Sequence, residues 1–245
     1  MLLSSNRGAI VGAISRIHRQ VIDDCPKCHG SDAGCSCYTR MALYEKACLA
    51  NVPIAMLTKK LSDFGVGQEE NPAIQDLKVR WTDLVYDIPN SIDGGRVIFV
   101  SGDNGTGKTM MSCILLKSGL NAGISSQYLL FNDLINIYLS KDNEKEDKME
   151  YIHSCGILAI DELGKQYKKA TAFGGVNLDF ARYVLENTLK MRSDCNLTTL
   201  LISNDTLDDV IKQYGGVGMS TESLLKSDKL VEFCHAGIDF RRAKA

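Results

Sequence analysis

The chain has 245 residues, a formal net charge of -2 and 24% charged side chains. That length allows one full α/β domain plus a small appendage, and the charge excludes a polycation that holds nucleic acid over its whole surface. No apolar run approaches a membrane span and no secretory signal follows Met1-Leu2-Leu3, so a cytoplasmic location without membrane contact is expected.

The first predicted element is a helix within residues 6–24. Ile10, Ile14, Ile17 and Val21 recur on one of its faces, which either packs on a small domain or docks a partner. Cys25-Pro26-Lys27-Cys28 follows, then Cys35-Ser36-Cys37, together four of the nine cysteines. Two turns that each present thiolates can close a tetrahedral zinc site with no open position, which makes it structural. His18 and His29 are possible substitutes, and disulfides or free thiols are the alternative use of these cysteines. So short a segment needs the metal to supplement its core. Thr39 is a candidate N-cap for a helix through Met41, Tyr44 and Cys48, interrupted by Pro53. The breaker-rich run Gly65–Pro72 reads as a linker, with a zinc-binding domain before it (1–70) and the larger domain after it (71–245). A short helix near Ile74–Trp81 leads to the first strand.

From Arg96 onward strands and helices alternate. Strands are expected at Arg96–Val100, Ser126–Leu130, Gly156–Ile160, Leu197–Ser203 and Lys229–Phe233. Helices are expected from Met110 to Leu120, through Phe131, Leu134, Ile135 and Tyr138, over Val176–Arg192, and after Asp205 or Thr206. Lys141–Glu150 is an exposed helix or loop. This alternation argues a parallel sheet covered on both faces.

Between the first strand and its helix lies Gly102-Asp103-Asn104-Gly105-Thr106-Gly107-Lys108-Thr109. It matches G-x-x-x-x-G-K-[ST] at every fixed position, in the strand–loop–helix context that the motif requires. Glycines let backbone N–H groups turn to an anion at a helix N-terminus. Lys108 can reach the β- and γ-phosphates of ATP, and the Thr109 hydroxyl can hold Mg²⁺. A second apolar run, Ile157-Leu158-Ala159-Ile160, ends in Asp161-Glu162. Asp161 can share the Mg²⁺ with Thr109, and Glu162 can act as general base toward water. A strand end with solvated acids is the bland alternative. The run Thr199–Ile202 ends in Ser203-Asn204, which puts Asn204 where it can orient water near the γ-phosphate. Gly164-Lys165-Gln166-Tyr167-Lys168-Lys169 is either a solvated loop or a nucleic-acid contact, with Lys165, Lys168 and Lys169 on phosphates and Tyr167 stacking a base.

In this order, Gly102–Thr109, Asp161-Glu162 and Ser203-Asn204 resemble an AAA+ ATPase. The closer resemblance is to DnaC/DnaI-type replicative helicase loaders, phage versions included, and to the related IstB-type transposition ATPases. It extends to the cysteine run with its following helix and proline, and to the ending Gly237-Ile238-Asp239-Phe240-Arg241-Arg242. The resemblance implies an AAA+ P-loop three-layer α/β sandwich behind a small zinc-binding domain. It implies Asp161 and Glu162 as the acidic pair of hydrolysis, Asn204 as the first sensor, and Arg241 or Arg242 as the arginine that senses nucleotide. The partners implied are a hexameric replicative helicase, single-stranded DNA, and other copies of the chain in a spiral or ring. The chain departs from the pattern where such proteins commonly carry Ser-Arg-Leu with an arginine that acts in trans. Here the run is Ser223-Leu224-Leu225. Lys226, Lys229 or Arg192 would have to substitute, or hydrolysis is slow without a partner. The expectation is therefore a slow ATPase that loads a helicase during DNA replication. An IstB-like ATPase acting on duplex DNA and a nucleotide-dependent adaptor with little catalysis are the alternatives.

Overall fold

The computed structural model describes residues 7–68, 70–164, 178–215 and 220–235. The helix α1 spans Arg7–His18 and runs into a widened turn over Arg19–Asp23. The next helix, α2, covers Ser36–Leu49, starting earlier than a cap at Thr39 predicts. Cys35 stands at its N-cap in extended conformation and Cys37 lies in its first turn, so the cysteine turn sets the start. Pro53 caps the short α3, Ile54–Leu57. Asn71 then caps α4, Pro72–Tyr86, by accepting from the Ala73 N–H at 3.1 Å, with Pro72 at the first position where its missing donor costs nothing. This helix outruns the expected Ile74–Trp81 because Leu84 continues its buried stripe. A short turn of helix, α5, follows at Ile88–Ser91.

Five strands form one sheet: β1 Val97–Gly102, β2 Ser126–Leu130, β3 Ile157–Leu163, β4 Thr198–Ser203 and β5 Leu230–His235. Their order is β2-β3-β4-β1-β5 and every pair is parallel. The connecting helices are α6 Lys108–Asn121, α7 Phe131–Leu139, α8 Lys145–Ser154, α9 Leu178–Asp194, α10 Leu207–Tyr214 and α11 Ser220–Leu225. Of these, α11 has no counterpart in the sequence-based expectation.

Alternation along the strands divides the interior. Ile98, Val100, Ala159, Leu200 and Ile202 face a core shared with α2, α4 and α6. Phe99, Leu158, Ile160 and Leu201 face a second core with α7, α8, α9 and α10. The result is the expected three-layer α/β architecture. Among the described residues no helix is long and apolar enough to cross a membrane.

The N-terminal region joins this frame through polar contacts as well as apolar ones. Ile22, Cys37, Met41, Leu57 and Phe64 belong to the same buried cluster as α6. The N–H of Tyr128 donates to the Ala50 carbonyl at 2.8 Å, so the residue after α2 covers part of the exposed edge of β2. Lys117 of α6, only 7% exposed, donates to the carbonyls of Met56 at 2.8 Å, Leu57 at 2.9 Å and Lys59. Those carbonyls lie at and just past the C-terminal end of α3, where a cation is favoured. Burial lowers the Lys117 ammonium pKa to about 8. Lys117→Met removes the buried ammonium shared by three carbonyls, of which that of Met56 still accepts from the Lys59 N–H at 3.3 Å, and chemical denaturation is expected to show a loss of about 2–4 kcal/mol.

Candidate nucleotide and metal sites

The C-terminal ends of β1, β3 and β4 open into a cleft of about 640 Å³. Asn104, Gly105, Gly107, Lys108, Thr109, Asp161, Glu162, Ser203 and Asn204 line it. The cleft thus brings together most of the residues singled out in the sequence. Gly102, Asp103 and Thr106 support it from behind: the Thr106 hydroxyl donates to the Asp103 carbonyl at 2.9 Å, and Lys108 Nζ donates to the carbonyls of Gly102 at 2.6 Å and Asp103 at 2.7 Å. Gly107 takes φ of 86° just before α6, a left-handed backbone that a side chain would strain. At Gly102, with φ of 134°, an added Cβ would come within 2.1 Å of the His235 carbonyl oxygen. Loop and β5 therefore touch backbone to backbone.

Asp161 lies in β3 and is 6% exposed. Its Oδ2 accepts from the Thr109 hydroxyl at 2.7 Å, although β4 separates β3 from β1, the strand that leads through the loop to Thr109 at the start of α6. From Ile160 to Leu163 the strand advances three residues while its partner advances two, from Leu201 to Ser203. This bulge contains Asp161 and Glu162. Glu162 has φ of 62°, a left-handed conformation costly for a residue with a Cβ and found at functional sites. Its N–H donates to Asp161 Oδ1 at 2.6 Å. The bulge thus aims two consecutive carboxylates into one cleft, where a regular strand would send them to opposite faces. Asn204 Nδ2 donates to Asn104 Oδ1 at 3.1 Å, which ties the end of β4 to the phosphate loop. Convergent N–H groups, an ammonium and a hydroxyl beside a carboxylate form a site that fits a nucleoside triphosphate with Mg²⁺.

Three contributors escaped sequence reasoning. Met56 and Lys59, from the N-terminal region, line the same cleft. His235, at the end of β5 and 1% exposed, braces the phosphate loop. The Trp81 indole N–H donates to its Nε2 at 2.9 Å, so its Nδ1 must carry the proton and donate to the Thr106 carbonyl at 2.9 Å. Only the neutral ring satisfies both contacts. No local pattern announces such a residue.

The four cysteine sulfurs lie within 4.8 Å of one another. Cys25 and Cys35 sulfurs are 3.9 Å apart, and those of Cys28 and Cys37 are 3.4 Å apart. A tetrahedron with Zn–S bonds of about 2.3 Å has edges of about 3.8 Å, so the set fits a zinc ion. None of the four is paired in a disulfide in this structure. His18 and His29 stand outside the cluster. The backbone N–H groups of Lys27 and then Cys28 lower the Cys25 pKa to about 6, while burial pushes Cys37 up to about 12. Four thiolates side by side need a cation to be stable together.

Among the described residues, the other expected candidates do not line the cleft. Lys165, Tyr167, Lys168, Lys169, Arg241 and Arg242 lie outside the described residues. Arg192, one candidate to act in trans, is wholly buried and donates to Thr199 Oγ1 and to the carbonyls of Ile152, Cys155 and Thr198 at 2.6–2.9 Å. It is a structural clamp, out of reach of another subunit. Lys226 is exposed and pairs with Glu222 at 2.6 Å, and Lys229 donates to Asn196 at 3.3 Å. Leu224 packs against the second core.

No protein-family model and no curated protein matches the sequence. Solved structures do match its fold. A protein described as a primosome component from Streptococcus pyogenes serotype M3 superposes with a TM-score of 0.57 at 20% identity, over 79% of this chain and 94% of that one. DnaI matches with a TM-score of 0.57 at 16% identity, over 76% and 93%. The DnaC helicase loader matches with a TM-score of 0.52 at 17% identity, over 67% and 90%. The chain therefore shares its α/β fold with these three proteins over most of its length.

Neutral His235 gives the phosphate loop a pH limit. Burial, with the Lys108 charge adding to it against the favourable Thr106 contact, lowers the His235 pKa to about 4. The unfolded chain binds this proton near pH 6.5, so the fold binds it more weakly. This contribution to stability is complete above about pH 6.5 and lost as pH falls toward about 4, a difference of about 3 kcal/mol. Denaturation series across that range are expected to show a steeper acid loss in the wild type than in His235→Gln, which carries no titrating ring.

Proposed function

We propose that this chain binds ATP with Mg²⁺ and loads a hexameric replicative helicase onto single-stranded DNA, with ATP acting as an assembly switch and hydrolysed slowly. One observation carries the reading: phosphate loop, Asp161, Glu162 and Asn204 share one cleft in a chain whose fold is similar to the DnaC helicase loader. In this reading Lys108 and the loop N–H groups bind the β- and γ-phosphates. Thr109 and Asp161 hold Mg²⁺, which spreads the phosphate charge when bound. Glu162 accepts the proton of the attacking water, and Asn204, steadied by Asn104, orients that water. Arg241 senses the nucleotide. Residues 71–245 form the ATPase and self-associate. Residues 1–70, held by Zn²⁺ on Cys25, Cys28, Cys35 and Cys37, meet the helicase. Lys165, Tyr167, Lys168 and Lys169 follow the DNA strand.

Leu224 favours a second reading, an adaptor that binds nucleotide with little turnover. A leucine packed on the core supplies no charge to a neighbour's phosphates. ATP turnover of the whole chain, alone and with single-stranded DNA and a hexameric helicase, separates the two. The loader is expected to be slow alone and faster with both. The adaptor stays slow throughout, and fast turnover without partners overturns both. Glu162→Gln is expected to keep ATP binding and lower turnover by about 10²-fold or more.

The DNA-binding lysines have their own measurement. Alanine at Lys165, Lys168 and Lys169 together is expected to weaken single-stranded DNA binding and to flatten its salt dependence, by about 0.7 in slope for each phosphate no longer neutralised. An unchanged salt slope removes these lysines from the interface.

A further inference from the structure

Tyr128 takes no part in any motif, yet its side chain ends on the carboxylate at the centre of the cleft. In β2 it stands opposite Ala159 of β3, two residues before Asp161 and on the same face. Ala159 is small and wholly buried, which leaves the phenol a path along the sheet. The Tyr128 hydroxyl donates to Asp161 Oδ2 at 2.7 Å, the oxygen that also accepts from Thr109 at 2.7 Å. The other oxygen accepts from the Glu162 N–H at 2.6 Å. Both carboxylate oxygens are therefore held, and a Tyr128 ring 6% exposed has little room to release its share. The main chain fixes the ring from behind, because the Tyr128 N–H is bonded to the Ala50 carbonyl at 2.8 Å.

We propose that Tyr128 is a positioning residue that holds Asp161 in the rotamer required to share a divalent cation with Thr109. This rests on reading Asp161 as the Mg²⁺ carboxylate. Without the phenol, Oδ2 keeps one donor and the carboxylate can turn about its terminal torsion, which is broad for Asp. Hydrogen-bond partners behind a metal ligand commonly contribute a factor of 10–100 in metal affinity. Through its N–H the same residue ties the chain just after α2 to the cation site.

The test is ATP binding by the full chain, titrated with Mg²⁺ and repeated in EDTA, for wild type, Tyr128→Phe and Asp161→Asn. Tyr128→Phe keeps the ring and is expected to raise the Mg²⁺ midpoint about 10-fold while leaving affinity in EDTA unchanged. An unmoved midpoint overturns the proposal. A loss of equal size in Mg²⁺ and in EDTA, with a lowered thermal midpoint, also overturns it, because it marks a packing role. If Asp161→Asn leaves the Mg²⁺ midpoint in place, the assignment of Asp161 itself fails and the proposal goes with it. A shift in Asp161→Asn without one in Tyr128→Phe keeps the site and removes only the tyrosine.

Discussion

The hydrogen bond from Thr109 to Asp161 is the contact on which the rest of the site depends. It spans β4, so it exists only if β1 and β3 flank that strand and end at the same level. The order β2-β3-β4-β1-β5 meets that condition. After β1 the chain crosses by α6 to the far edge and works back through β3 to β4. It then passes over β1 to β5. The chain reverses direction beside the end of β1, where open α/β sheets bind ligands. The phosphate loop and the paired carboxylates are thus products of topology as much as of motif. A regular β3 would still fail, since Asp161 and Glu162 would point apart. The bulge, with Glu162 at φ of 62°, is the local cost of aiming both into the cleft.

The chain before β1 is built into this site at three separate places. Lys117 fixes the Met56–Lys59 turn against α6, and that turn supplies one wall of the cleft. Ala50 meets β2 at Tyr128, whose other end holds Asp161. Trp81 of α4 holds His235, which in turn holds the loop at Thr106. Each contact is a buried polar group whose partner lies in another layer, and breaking one leaves an unsatisfied group behind.

Much of the strand and loop pattern was legible because it is local. Ser126–Leu130 is a strand and the helix beginning at Phe131 follows at once, as alternation and the apolar face at Phe131, Leu134 and Ile135 require. The phosphate loop carries its own fixed spacing, and so do the cysteines. Helix limits were harder. The start of α2 follows the cysteine turn, and α11, only six residues long, is too short to leave a periodic trace. The braces were not legible at all. Tyr128 meets a partner 33 residues away, Lys117 one 61 residues away and His235 one 154 residues away. A tyrosine in a strand, a lysine in a helix and a histidine at a strand end each have an ordinary reading until the fold supplies the partner.

The same distance between local pattern and tertiary use bears on what completes the site. Sequence alone offered Arg192 as a cation to stand in for the arginine missing at Leu224. In the fold that guanidinium is surrounded by carbonyls and the Thr199 hydroxyl, and pulling it out would orphan α8, β4 and the turn at Cys155 together. Lys226 and Lys229 keep their heads on the surface, in contacts that solvent weakens and a phosphate can displace. A lysine is a point charge and lacks the planar fork that grips two phosphate oxygens at once. Substitution by either lysine therefore gives weaker transition-state stabilisation than an arginine. Under the proposed function, a site completed in trans by one of these two lysines would hold its triphosphate longer than it turns it over, which suits a nucleotide used to keep an assembly closed.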